Sequence, residues 1–162
     1  MTGPAWRDAE ERDVPAIHRL LRAMAAYEKL EHEFRATAED YRRELFGPAP
    51  SARALVAEAA GEAVAVCLFH RTFPSFSGRA ALWIEDIFVQ PAHRRRGLAR
   101  AAFAEVARRA LAEGCGFVEW NVLDWNAPAI AAYRAMGAVA RDGWTDMRLS
   151  GDALTRLAEG AG

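Results

Sequence analysis

Two acids stand side by side in an otherwise apolar run. Glu85 and Asp86 separate Leu82-Trp83-Ile84 from Ile87-Phe88-Val89. Burying two carboxylates costs several kcal/mol unless each is paired or hydrogen-bonded. Such a pair is either structural, held by backbone N–H groups or an arginine, or it binds a cation and takes its proton. Adjacent strand residues face opposite sides, so alternation predicts that at most one of them enters a given cleft. The same run leads straight into Gln90-Pro91-Ala92-His93-Arg94-Arg95-Arg96-Gly97-Leu98-Ala99-Arg100 and then a long helical pattern. A helix start exposes unpaired N–H groups and a partial positive charge, which suits a pyrophosphate. Gly97 and Ala99 are small enough to let phosphate approach the backbone, and Arg94, Arg95, Arg96 and Arg100 add charge. The plainer alternative is a glycine-containing helix start with solvated arginines. A P-loop is excluded by the missing Gly-Lys-Ser/Thr ending, and a dinucleotide fingerprint by the missing G-x-G-x-x-G. Asn126 precedes Pro128 at another helix start, where an N-cap is its ordinary role. Tyr133, two helical turns on, falls near the same face, and core packing is its ordinary role.

The elements that must position these residues follow from periodicity. Trp6 to Ala9 reads as a short strand. Val14, Ile17, Leu20, Leu21 and Met24 recur at helical spacing behind Asp13 as N-cap, in a helix ending near Tyr27–Leu30. Thr37-Ala38-Glu39-Asp40 opens a second helix like a capping box, and Gly47-Pro48 stops it. Ala54–Ala59 and Ala63–Phe69 flank Gly61-Glu62 as a hairpin, and Ala80 to Val89 is a third strand of this group. Leu98, Ala102, Val106 and Ala110 define the inward face of the helix after Gly97. Phe117–Leu123 is a strand and Pro128–Met136 a helix. Val139 and Trp144–Leu149 are expected to end in strands, and Asp152–Leu157 forms a last helix. The order β-α-α-β-β-β-α-β-α-β(-β) predicts an α/β (α+β) fold, one domain over residues 1–162.

Composition sets outer limits. The 162 residues suit one core, with 52% hydrophobic and 27% charged residues. A formal net charge of −1 provides no general attraction to nucleic acid or to an anionic membrane surface. No apolar run approaches a membrane span, and no leader pattern opens the chain, so a cytoplasmic protein is expected. The four histidines are scattered, and the two cysteines, Cys67 and Cys115, sit in apolar stretches without ligand spacing. No metal site is expected.

Four blocks in order make the chain resemble a known family. Arg94-x-x-Gly97-x-Ala99 after Ile87-Phe88-Val89 resembles the acetyl-CoA loop of the GNAT superfamily. Ala26-Tyr27-Glu28-Lys29-Leu30-Glu31, Leu82-Trp83-Ile84-Glu85-Asp86-Ile87-Phe88-Val89, and Trp125-Asn126-Ala127-Pro128-Ala129-Ile130 with Tyr133-x-x-x-Gly137-Ala138 resemble its diamine and thialysine acetyltransferase branch. The resemblance implies a mixed, mostly antiparallel sheet flanked by helices. It implies acetyl transfer from acetyl-CoA to a small amine by direct attack in a ternary complex, in a homodimer. It assigns Glu85 to the amine site and to proton acceptance through water, with Asp86 second. It assigns Tyr133 as proton donor to the leaving thiolate. Main-chain groups of Ile87, Phe88 and Val89, the Arg94–Arg100 segment (Arg94, Arg95, Arg96, Gly97, Leu98, Ala99, Arg100), Asn126 and Tyr133 would hold the cofactor. Tyr27, Glu28, Glu85, Asp86 and Asp142 would meet the amine. The chain departs from the polyamine enzymes at Pro74-Ser75-Phe76, where they carry Asp-Pro-Trp, and this favours a shorter amine or an amino-acid side chain. The alternatives are a protein or peptide N-acetyltransferase and a CoA-binding sensor without catalysis on the same scaffold.

Overall fold

The computed structural model describes residues 5–160; the ends of the expected 1–162 domain lie outside them. The chain divides into two compact units, Met1–Leu123 and Asp124–Gly162. The first holds a five-stranded sheet in the order β1 (Trp6–Asp8), β2 (Arg53–Ala59), β3 (Glu62–Thr72), β4 (Ala81–Val89) and β5 (Phe117–Trp120). β1 to β4 run antiparallel, and β5 pairs parallel with β4. A parallel pair needs a long crossover. Here it is the helix α3 (Leu98–Ala112). The expected mixed, mostly antiparallel sheet flanked by helices is what forms.

Helices α1 (Val14–Tyr27) and α2 (Ala38–Phe46) cover one face. Ile17, Leu20, Leu21 and Leu45 close over Val56, Val66, Leu68 and Phe88 in one buried cluster. On α3 the anticipated inward residues Leu98, Ala102, Val106 and Ala110 are all buried, and Phe103 is buried with them. α2 begins as its sequence predicts, because Thr37 Oγ1 accepts from the Asp40 N–H and Asp40 reaches back to the Thr37 N–H at 2.8 Å. The N-cap expected of Asp13 is not made. Its carboxylate instead accepts the Glu10 N–H at 2.7 Å and takes Arg7 in a bidentate pair at 2.7 and 2.9 Å. A charge buried to 7% exposure needs a full cation more than a helix end needs a cap.

Two further readings are corrected. The β2–β3 turn is Ala60-Gly61, one residue earlier than anticipated, with φ of 52° and 83°. Two positive φ values make it a type I′ turn, the one whose twist suits a hairpin. The strands expected at Val139 and over Trp144–Leu149 are absent; among the described residues 139–150 carry no strand. Alternating apolar residues favour a strand only where a partner ladder accepts them, because sheet propensity is largely a measure of packing against neighbours. The second unit is helical: α4 (Ala127–Ala135) and α5 (Gly151–Ala158).

Ala60 occupies a left-handed conformation that disfavours any Cβ-bearing residue other than Asn or Asp. Replacing Ala60 by Asn, giving the Asn-Gly pair preferred in this turn, should raise stability by about 1 kcal/mol in urea unfolding. A variant no more stable than the parent would show that the turn conformation is different.

Candidate active site

The β3–β4 register carries the first feature of the site. Leu68 pairs with Asp86 and Phe69 with Ile84, so Glu85 is an extra residue in β4 with no opposite number. This is a β-bulge, and it breaks the alternation on which the sequence reading relied. Asp86 stands opposite Leu68, a member of the cluster under α1. Glu85 lies on that same side: its Oε2 accepts from Trp83 Nε1 at 2.9 Å and lies 3.5 Å from His70 Nε2. Contrary to the strict alternation expected, both carboxylates therefore face one cleft.

That cleft has a volume of about 530 Å³ and is lined by α1, the segment after it, Tyr41 of α2, and Glu85 and Asp86. Glu28 enters it for a local reason. The Leu30 N–H bonds to Ala25 O at 2.8 Å and the Lys29 N–H to Ala26 O at 3.1 Å, with Lys29 at φ 61°. This is a Schellman ending, and it fixes Glu28 as the last residue before the chain turns. Asp86 is the deepest acid. Burial, then Glu85 and Glu28, push its carboxyl up to about 7. Glu28 is also raised, by burial. Tyr41 is pushed up to about 12 by burial, with Asp86 and Asp40 adding to it. Burial first, and then the neighbouring acids, make the charged forms costly, so these groups hold their protons. An ammonium ion placed there would supply a cation, and an acid ionising near 7 can take its proton.

The second feature is the end of β4. β5 pairs with β4 only over Ala81–Ile84, against Phe117–Trp120. β4 continues to Val89, so along Ile87, Phe88 and Val89 the main chain on the β5 side is outside that ladder. The strand leads through Pro91–His93 to the start of α3. There Arg95 has φ 59° and Gly97 φ 79°, and a Cβ built on Gly97 would meet nothing within 4 Å. The first backward helical bond is Ala101 N–H to Gly97 O at 2.9 Å. The N–H groups of Leu98, Ala99 and Arg100 are thus left open by helix geometry. Left-handed residues ahead of a helix turn successive N–H groups toward one point and suit an anion. Leu98 contributes only its main chain, since its side chain is buried beside Ala57, Ala65 and Val89, and its carbonyl accepts from Trp6 Nε1 at 2.9 Å. Arg95, Arg96 and Arg100 are exposed. Arg94 is engaged inward: its Nε donates to Val89 O at 2.9 Å, and its guanidinium lies 4.3 Å from the Tyr27 ring and 5.5 Å from Phe88. It thereby ties the helix-end block containing Tyr27 and Glu28 to the turn before α3.

Within the second unit, Asn126 caps α4, its Oδ1 accepting the Ala129 N–H at 3.4 Å, with Pro128 in the first turn. Tyr133 lies on α4 and is half-buried, and Asp142 is exposed in the segment without regular structure. Sequence reasoning missed Tyr41 and Arg35, both of which line the cleft. Tyr41 had the signal of an inward residue on α2; Arg35 had none, because a single arginine between two helices reads as solvated.

The family model described as "Acetyltransferase (GNAT) family" matches residues 15–138. The chain is 36% identical to the thialysine N-epsilon-acetyltransferase of Bos taurus, over 94% of this chain and 95% of that one. It is 31% identical to the L-ornithine N5-acetyltransferase of Arabidopsis thaliana, over 93% of this chain and 86% of that one. Among solved structures, an integron cassette protein of V. cholerae superposes with a TM-score of 0.80 at 16% identity, covering 98% of this chain and 99% of that one. An aminoglycoside acetyltransferase from an uncultured soil metagenomic sample gives 0.75 at 23% identity, covering 92% and 100%. At those identities the likeness is one of fold.

The raised carboxyl of Asp86 has a consequence for stability. Between the ordinary carboxyl value of 3.8 and about 7 the native state holds a proton that the unfolded chain has released. Stability therefore falls as pH rises through that window, and Glu28 acts in the same direction. Asp86→Asn cannot ionise and should be more stable than the parent at pH 8, by on the order of 2–4 kcal/mol, with the gap closing toward pH 4. Urea unfolding at several pH values reads this directly; a difference independent of pH would remove the burial argument.

Proposed function

The chain belongs to the GNAT acetyltransferase family and is an N-acetyltransferase, and we propose that it acetylates a small amine, a diamine, polyamine or thialysine-like amino acid, by direct attack in a ternary complex. Acetyl-CoA is the donor this family uses. β4 carries the reading: its bulge turns Glu85 and Asp86 into the acidic cleft, and its far end, beyond the β5 ladder, runs to the open N–H groups of α3. The residues present fit the donor. Gly97, Ala99 and the open N–H groups would take the diphosphate with Arg95, Arg96 and Arg100, while Ile87–Val89 would offer main-chain groups to the extended arm, with Asn126 assisting. Arg94 would act by holding the turn, since its guanidinium is already engaged. Bound there, the donor supplies an activated acetyl group.

The chain's own groups would then do three things. Glu85, at the lip, and Glu28 gather the ammonium, with Tyr27 and Asp142 completing its surroundings. Asp86 accepts the proton, directly or through water. The pressure that holds its carboxyl near 7 supports giving it this role ahead of Glu85, which is exposed and tied to Trp83. The freed amine bonds to the acetyl carbon as the carbon–sulfur bond breaks, the Tyr133 phenol protonates the sulfur, and the second proton lost from nitrogen restores the phenol. We read the two units as one domain, because the family match crosses the division between them. The family resemblance further implies a homodimer. Two buried free cysteines suit a reducing cytoplasm, and no helix of the described residues is long and apolar enough to cross a membrane.

The reading is tested by calorimetry with CoA and by turnover on an amine panel against a peptide panel. Saturable CoA binding and turnover on the amines are expected. No CoA uptake at millimolar ligand, or turnover on peptides alone, would overturn it. Tyr133→Phe should lower kcat about 100-fold with CoA affinity unchanged; an unaltered rate would remove Tyr133 from the chemistry.

A further inference from the structure

The acids of the cleft share it with one group of opposite sign. Glu28, Glu33, Glu85 and Asp86 line it, and Arg35 is the cation among its lining residues. Its position is anchored on both sides. Phe34 packs against the His18 ring at 5.5 Å, and the Ala36 carbonyl lies 3.1 Å from His18 Nε2. The α2 capping box begins at Thr37, directly afterwards. Of the nearby acids, Glu31 pairs with Arg22 at 3.5 Å, and Glu33 lies 3.7 Å from His32 Nε2. Among the described residues Arg35 makes no ion pair within 4.0 Å. This sets it apart from the arginines that are engaged within the fold, such as Arg7 with Asp13, Arg53 with Glu113 and Arg109 with Asp8.

A cleft built only to hold a polyamine gains nothing from a guanidinium at its mouth, because the charge repels the second ammonium. The pattern of acids in depth and one exposed guanidinium at the edge fits a molecule with an ammonium at one end and a carboxylate at the other. Resting on the function proposed above, we propose that Arg35 binds the α-carboxylate of a basic amino acid whose side-chain amine enters the acid cluster. Arg35 is thus a specificity residue, selecting amino acids over the diamines that lack the carboxylate. A planar guanidinium suits this task because it can meet a carboxylate with two parallel N–H bonds. It acts on binding and not on the acyl transfer itself.

The test uses matched pairs that differ by the carboxylate alone: L-ornithine with putrescine, and L-lysine with cadaverine. Steady-state kinetics of the full chain are compared with Arg35→Gln and Arg35→Lys, with CoA affinity measured to confirm that each variant is folded. Arg35→Gln should raise KM for the amino acids about tenfold, leave kcat nearly unchanged, and leave the diamine KM unchanged or lower. Arg35→Lys should recover part of the loss. Should a diamine turn over too slowly to measure, its inhibition constant against the paired amino acid takes the place of KM. Equal shifts for both members of each pair would overturn the role of Arg35 while leaving small-amine acetylation standing. Wild-type protein that acetylates none of the four amines but does acetylate peptides would overturn both.

Discussion

The site depends on a local failure of sheet regularity in β4. A strand that kept strict alternation would put Glu85 and Asp86 on opposite faces, and one of them would press into the apolar layer under α3. The extra residue opposite Leu68 and Phe69 removes that conflict. It brings both acids to the α1 side while Ile84 and Leu82 stay buried at 2% and 0% exposure. The same strand outlasts its parallel partner by five residues, from Glu85 to Val89. Bulge and overrun together give one strand two tasks, holding acids in a cleft and offering main chain at an open edge.

Charge is distributed along that strand with opposite signs at its two stations. The cleft gathers like charges and answers by holding protons, so Asp86 sits near 7 instead of ionising fully. The start of α3 gathers open N–H groups and exposed guanidinium groups. Neither arrangement stabilises the empty fold: an unpaired carboxylate in a cleft and a left-handed non-glycine residue at Arg95 both cost free energy. Costs of this kind persist where a ligand of the opposite sign recovers them. Arg94 joins the two stations, since its bond to Val89 and its packing on Tyr27 and Phe88 connect the end of α1 to the turn before α3.

Membership in the GNAT acetyltransferase family accounts for the fold and the reaction type, and family alone does not choose the acceptor. That choice must fall to individual side chains. By the family resemblance Pro74-Ser75-Phe76 stands where the polyamine enzymes carry Asp-Pro-Trp, and Arg35 puts a positive charge among the residues lining the cleft. Under the proposed reading both differences disfavour a long polycation.

Much of this was legible in the amino-acid order, because it is local. Helical periodicity placed α1 and α3 with their buried faces, Thr37 and Asp40 announced their capping box, and the Arg94-x-x-Gly97-x-Ala99 spacing marked the turn before α3. What the sequence left undecided involves partners distant along the chain. Whether Glu85 and Asp86 diverge or converge depends on how β4 registers against β3, and the bulge has no signature within β4 itself. Whether residues 139–150 become strands depends on an accepting edge, and the commitment of Arg94 and the availability of Arg35 depend on which carboxylates and rings the fold brings near. Backbone preferences and side-chain period are set by neighbours a few residues away, so sequence determines them. Register, pairing and the local electrostatic field are sums over residues that only the folded chain brings together.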